Sequence, residues 1–143
     1  SDNLELSDMI KKKGLSSDVY MLSQRKDIDV IYNILDLVIL SSINGEGFPN
    51  VLAEAMACET PCVVTNVGDA NFIVGKTGWV VPPMNPSALS NSIKKTFFLL
   101  SKKNWKERCR SARSRVSENF SIDKMIQSYQ KVWAENIINK SNS

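Results

Sequence analysis

This sequence has no histidine, only three cysteines and no apolar run long enough to cross a membrane. Without histidine it lacks the usual general base for neutral pH and the commonest metal ligand. An odd cysteine count excludes a complete disulfide framework and favours a reducing, cytoplasmic setting. No uninterrupted apolar stretch approaches the ~20 residues of a transmembrane helix, and no apolar leader opens the chain. Basic residues outnumber acidic ones by 18 to 15, and the resulting +3 is too small to point to nucleic acid. Internal repeats and low-complexity tracts are missing too. What remains is a globular composition, 43% hydrophobic in 143 residues, with room for one core and not for two domains. The first residue is Ser1 rather than Met, which suggests a piece of a longer chain.

Residues 4–13 put Leu6, Met9, Ile10 and Lys13 at helical spacing before Gly14. Val19-Tyr20-Met21-Leu22-Ser23 has the character of a short buried strand. Asp27 stands where it could cap a helix carrying Ile28, Ile31, Ile34 and Leu35 on one face. Leu37-Val38-Ile39-Leu40 predicts a strand covered on both faces. A loop of small residues, 41–48, leads through Pro49 into a helix ending near Cys58. Residues 61–65 predict a third strand and Trp79-Val80-Val81 a possible fourth. From Pro86 onward the pattern is helical, with breaks near Asn104 and Phe120. Short strands alternating with helices, without hairpin turns, imply parallel βαβ units. The fold class is therefore α/β: a partial Rossmann-like open parallel sheet of three to four strands with a helical C-terminal tail. Such sheets usually have five or six strands, so the front of the sheet is expected to be missing from this chain. Residues 1–120 are expected to form the sheet domain, and 121–143 a terminal crossover helix with a frayed end at 139–143.

The chemistry concentrates in Glu46-Gly47-Phe48-Pro49-Asn50-Val51-Leu52-Ala53-Glu54. One carboxylate lies in the loop after a strand and the other inside the next helix, eight positions on. Ligands of open parallel sheets bind beyond the carboxyl ends of the strands, where this loop falls. The helix N-terminus offers free N–H groups and a positive dipole end, which suit a diphosphate. Gly47 lets the backbone approach a ligand closely. Glu54 stands roughly 7 to 8 Å along the helix axis at 1.5 Å per residue. Carboxylates on both sides of a diphosphate suit a nucleotide sugar, whose paired hydroxyls they accept from.

This segment resembles the retaining, nucleotide-sugar-dependent glycosyltransferases of family 4, which have the two-lobed GT-B fold. The likeness runs from about Ser1 to Glu135. It is strongest in Asp36-Leu-Val-Ile-Leu-Ser-Ser, Glu46-Gly-Phe-Pro-Asn-Val-Leu-Ala-Glu-Ala-Met-Ala, Pro61-Cys-Val-Val-Thr-Asn-Val-Gly-Asp and Thr77-Gly-Trp-Val-Val-Pro-Pro. By that resemblance Glu46 contacts the donor sugar as the catalytic carboxylate, and Glu54 holds the ribose. Backbone at Gly47, Phe48, Pro49, Asn50, Val51 and Leu52 approaches the sugar and diphosphate, while Gln24 and Arg25 lie beside the base. The donor would be UDP- or GDP-linked, with no metal or cofactor. Its hexose or N-acetylhexosamine would pass to a glycan or lipid-linked acceptor in cell-surface polysaccharide synthesis. The resemblance also implies an absent N-terminal acceptor lobe and an absent basic pair for the diphosphate, so the chain alone should be inactive. One departure is local: the family's Gly after the helix is Glu59 here, in a place where a left-handed residue costs roughly 1 kcal/mol.

Simpler readings compete. Taken alone, Glu46 and Glu54 are ordinary solvated carboxylates. Asp27-Ile28-Asp29 imitates a metal-binding motif but fits a helix cap better. Gly75-Lys76-Thr77 imitates the end of a P-loop, yet Ala70 stands where its first Gly should be. Cys58 and Cys62 suit small buried hydrophobes rather than a redox pair, and Cys109 has no obvious partner. Seven basic residues between Lys102 and Arg115 suit a solvated helix face or a peripheral contact with a membrane surface. Trp105, Tyr129 and Trp133 suit core or interlobe packing, and the last helix would expose apolar surface without the other lobe. Two alternatives to the transferase remain: a non-catalytic nucleotide-binding module, and a nucleotide-sugar epimerase of related fold, which should carry His around its cleft.

Overall fold

The computed structural model describes residues 3–141, with side chains to residue 135. In chain order it forms α1 (Leu4–Lys12), α2 (Ile28–Ile34), β1 (Val38–Leu40), α3 (Asn50–Ala57), β2 (Cys62–Thr65) and α4 (Ala70–Val74). A 3-10 turn (Gly75–Thr77), β3 (Trp79–Val81), α5 (Pro86–Leu100), α6 (Trp105–Asn119) and α7 (Ile122–Ser141) follow. The three strands are parallel in the order β1-β2-β3, so β2 is central. Val38 pairs with Cys62 and Leu40 with Val64 on one side; Val63 pairs with Trp79 and Thr65 with Val81 on the other.

All four β2 residues are buried, as a strand flanked by two partners and covered on both faces requires. On one face Val38, Cys62 and Val64 join Leu52, Ala55 and Met56 of α3, Ala70, Ile73 and Val74, and Ala112 and Val116 of α6. Fully burying side chains such as Leu52, Met56 and Ile73 contributes about 1.5–3 kcal/mol each before conformational entropy is charged against it. The Cys62 thiol sits in that layer, and burial pushes its pKa up to about 12. It is thus a small hydrophobe, as expected. Cys58 and Cys109 are half-buried, and all three thiols are free.

The strand expected at 19–23 and the second covered face of β1 fail for one physical reason: a strand needs neighbours. Residues 19–23 form no strand, and Val19, Tyr20, Met21 and Leu22 are exposed. Their apolar pattern suits a sheet, but no described residue offers them a ladder. β1 is an edge strand, and Ile39 is 44% exposed, so β1 is covered on one face rather than two. α5 lies across β2 and β3 and leaves Ile39 in an apolar groove with Leu35, Leu37, Ile93 and Phe97. On α2, the expected buried face of Ile28, Ile34 and Leu35 is exposed, and Tyr32 is buried instead. Asp27 holds the N-cap position without a cap bond, because Arg25 takes its carboxylate in a bidentate pair at 2.8 and 2.6 Å. α4 was not foreseen. Asp69 stands before it without a side-chain cap bond, and Ala70, Ile73 and Val74 all face the core.

The basic helix α6 is more than a solvated face. Arg115 donates through Nε to the Ile73 carbonyl at 2.7 Å and through Nη2 to that of Phe72. Arg108 donates to the Thr77 carbonyl at 3.1 Å and lies 4.7 Å over the Trp79 ring, which also stacks on Trp105. Two of the seven basic side chains are therefore staples that bind α6 to the α4–β3 connection. Trp105 packs as expected, whereas Tyr129 and Trp133 of α7 are 57% and 64% exposed and belong to no core among the described residues. The expected frayed end, 139–143, lies outside the described side chains.

α3 ends as the sequence suggests, through a left-handed residue. Glu59 has φ +61°, its N–H donates to the Met56 carbonyl and that of Thr60 to the Ala55 carbonyl, both at 3.0 Å. This is a Schellman closure with glutamate in the place that glycine favours. A loose ion pair to Arg113 at 3.8 Å offsets little of the strain, since exposed pairs contribute little. Glu59→Gly should therefore raise stability by about 0.5–1 kcal/mol, the left-handed penalty less the added entropy of glycine in the unfolded chain. Urea unfolding of the two proteins measures it, and an equal or lower midpoint contradicts it.

Candidate functional site

The site grows from the carboxyl ends of β1 and β2. Thr65, the last residue of β2, donates its hydroxyl to the Ser42 carbonyl at 2.6 Å. The Ser42 hydroxyl in turn donates to Glu46 Oε1 at 2.6 Å. A strand end thus orients the loop, and the loop orients the carboxylate. From the other side, Asp69 N–H donates to the Gly47 carbonyl at 2.9 Å. Gly68 lies directly beneath: a Cβ there would stand 2.6 Å from the Gly47 carbonyl oxygen and nearer still to that of Glu46. With φ +53° as well, this position has two separate reasons to be glycine. A Cβ on Gly47, by contrast, would meet open space, which leaves that backbone approachable.

Gly47, Phe48 and Pro49 carry the chain into α3, whose N-cap is Pro49. Proline has no hydroxyl or carboxylate to offer, so no side chain caps the first-turn amides. Asn50, Val51 and Leu52 form that first turn; Leu52 is fully buried and fixes the helix on the core. Phe48 is half-exposed and meets Phe120 edge-on at 5.5 Å, and Phe120 meets Phe72 at 5.4 Å. The ring ladder ties the site loop to the end of α6. Glu46 is half-buried on the β2 side of the α3 N-terminus. Glu54 is exposed one turn into α3, where α2 packs. Burial raises the pKa of the Tyr32 hydroxyl, and the negative charge of Glu54 raises it further, so phenol and carboxylate are neighbours.

The structure therefore brings Glu46, Gly47, Phe48, Pro49, Asn50, Val51, Leu52 and Glu54 into one continuous loop and helix start. It does not join Gln24 or Arg25 to them by any hydrogen bond or ion pair among the described residues; the Arg25 guanidinium is held by Asp27. Sequence reasoning missed Ser42, Thr65 and Tyr32. Serine and threonine near strand ends are too common to single out, whereas Tyr32 had a signal, a phenol tip on a ring otherwise buried. Gly75-Lys76-Thr77 forms a 3-10 turn leading into a strand, the reverse of a P-loop.

The structure is an open parallel α/β sheet with a loop and an uncapped helix start at its carboxyl edge, the edge beyond which such sheets bind ligands. Residues 1–116 match the family Glycosyl transferases group 1, and the chain belongs to that family. It is 30% identical over 128 residues to the trehalose synthase of Thermococcus litoralis, covering 84% of this chain and 30% of that enzyme. A glycosyltransferase from Rickettsia africae superposes with a TM-score of 0.85 at 27% identity, over 92% of this chain and 35% of that one. Anabaena HepE in complex with UDP superposes with a TM-score of 0.83 at 27% identity, over 92% and 36%. The fold is that of the C-terminal part of a GT-B glycosyltransferase. The chain spans about a third of the length of these relatives.

Gly68→Ala should lower stability by about 1–3 kcal/mol, because the new Cβ and the left-handed backbone both push against the Glu46 loop. It should also move the amide resonances of residues 42–50 more than those of α5. Unchanged stability with unmoved loop resonances contradicts the support role of Gly68.

Proposed function

We propose that this chain is the donor-binding part of a retaining glycosyltransferase that uses a nucleotide sugar. The observation that carries the reading is the uncapped α3 N-terminus beyond the carboxyl end of β1, with Glu46 held by Ser42 in the loop before it and Glu54 on α3 beside Tyr32. In this reading the amides of Asn50 and Val51 meet the diphosphate, Glu46 accepts from sugar hydroxyls, and Glu54 accepts from the ribose. Developing charge on the leaving diphosphate is stabilised by the fixed helix dipole, which needs no reorganisation during reaction. Residues 37–58 contain no Lys or Arg and carry two carboxylates. A diphosphate there needs cations from outside the segment, and we assign them to a part of the protein beyond these residues. We assign the acceptor to a second lobe, since the chain spans about a third of the length of its relatives. Gln24 and Arg25 are assigned to the base edge, with Arg25 released from Asp27 on binding. The UDP complex of HepE favours a uridine donor; the sugar transferred is a hexose or N-acetylhexosamine, and the product a cell-surface glycan.

A panel of UDP- and GDP-sugars in a thermal-shift assay tests this. A true donor stabilises the folded state by about 2.7 kcal/mol at roughly a hundredfold excess over Kd, and Glu54→Ala should abolish the rise without altering the ligand-free midpoint. A rise that survives Glu54→Ala contradicts the ribose assignment, and no rise with any donor contradicts the proposal.

A further inference from the structure

Among the asparagines of this sequence, Asn44 alone precedes a glycine. The pair Asn44-Gly45 lies in the loop between β1 and α3, directly before Glu46. That loop is fastened on either side of the pair: Thr65 bonds the Ser42 carbonyl, and Asp69 N–H bonds the Gly47 carbonyl. Between these anchors Ile43, Asn44 and Gly45 are exposed and make no hydrogen bond among the described residues. Gly45 has φ +80°, and a Cβ built on it would meet nothing within 4 Å. The next most open asparagine among the described residues is Asn91, which precedes Ser92. It lies inside α5, where the N–H that follows it belongs to the helical ladder.

An asparagine side chain reacts with the backbone nitrogen that follows it when that nitrogen is unhindered and unbonded. A side chain on the next residue hinders the approach, and a helix or sheet withholds the nitrogen by bonding its N–H. Neither obstacle exists at Asn44. We propose that Asn44 is a site of spontaneous deamidation, and that its products weaken binding of a nucleoside diphosphate at the α3 N-terminus. The Gly45 nitrogen gives up its proton to water and attacks the Asn44 Cγ; the N–Cγ bond forms, the Cγ–Nδ2 bond breaks, and ammonia leaves. Water then opens the five-membered imide at either carbonyl, to aspartate or to isoaspartate. One water is consumed and one ammonia released, with no oxidant or cofactor. The modification stands without the donor-site reading, whereas its effect on binding rests on it. Residues 37–58 already hold two carboxylates and no Lys or Arg, so a third carboxylate adds repulsion that no cation of the segment offsets. Isoaspartate also inserts one main-chain atom between the Ser42 and Gly47 anchors, which shifts Glu46 away from the Ser42 hydroxyl that holds it.

Peptide mass spectrometry of the aged protein tests the modification. The peptide carrying Asn44 should gain the mass of a hydroxyl in place of an amine, and an isoaspartate methyltransferase should label it, both ahead of the peptide carrying Asn91. Asn44→Gln, whose longer side chain closes a six-membered ring slowly, should suppress both signals. An Asn44 peptide that ages no faster than the Asn91 peptide, or label in that peptide surviving Asn44→Gln, overturns the site. Calorimetric titration with UDP tests the effect on binding. Asn44→Asp should bind about fivefold more weakly than the parent, with a gap that narrows as salt is raised. Asn44→Gln should bind as the parent does, and the circular dichroism of both variants should match it. Equal affinity of Asn44→Asp and the parent overturns the effect, as does an equal loss in Asn44→Gln, which would point to shape rather than charge. A parent that binds no UDP contradicts the donor-site reading and the effect with it, while the mass spectra still decide the modification.

Discussion

The close approach of Gly68 to the Glu46 and Gly47 carbonyls holds the rest of the site in place. Two loops leave the ends of adjacent parallel strands, and without contact between them each would move independently. Gly68 lets them touch, Asp69 N–H bonds the Gly47 carbonyl, and Thr65 bonds the carbonyl of Ser42. Glu46 receives its own hydrogen bond from that same Ser42. The Glu46 loop is thus anchored to β2, whose four residues are all buried. A rigid scaffold positions a catalytic loop most accurately where the loop's own backbone bonds are satisfied by the scaffold.

The same logic explains why α6, with so many cations, stays on the body of the protein. Its apolar side is thin, with Ala112 and Val116 alone fully in the core. Arg108 and Arg115 supplement it by bonding carbonyls of the α4–β3 connection, and Phe120 extends the attachment to Phe48. Charged groups thereby serve packing on one side of the helix while others remain in water. On the tail helix α7, Ile122, Met125, Ile126, Tyr129 and Trp133 repeat at helical spacing and are exposed.

What the sequence made legible follows from how local each signal is. The loop and helix around Glu46–Glu54, the three strands and the helical breaks near Asn104 and Phe120 were readable because motif and periodicity lie within a few residues. The strain at Glu59 was readable for the same reason. The strand expected at 19–23, and the second covered face of β1, failed because both depend on neighbours distant in sequence, and no described residue supplies them. Ser42, Thr65 and Tyr32 escaped notice because their importance lies in partners 4 to 23 residues away across the fold or on another helix. The roles of Arg108 and Arg115 were hidden in a basic run whose average member does face solvent.

The central claim is that the start of α3 and its two flanking carboxylates form the nucleotide-diphosphate site. Titration of the 15N-labelled protein with UDP, followed through its amide resonances, tests this most directly. The account predicts that the largest shifts fall on Gly47, Phe48, Asn50, Val51 and Leu52, with Glu54 next. Shifts centred instead on the cavity at the C-terminal end of α3, lined by Cys58, Trp105 and Arg110, or a spectrum unmoved by saturating UDP, would contradict it.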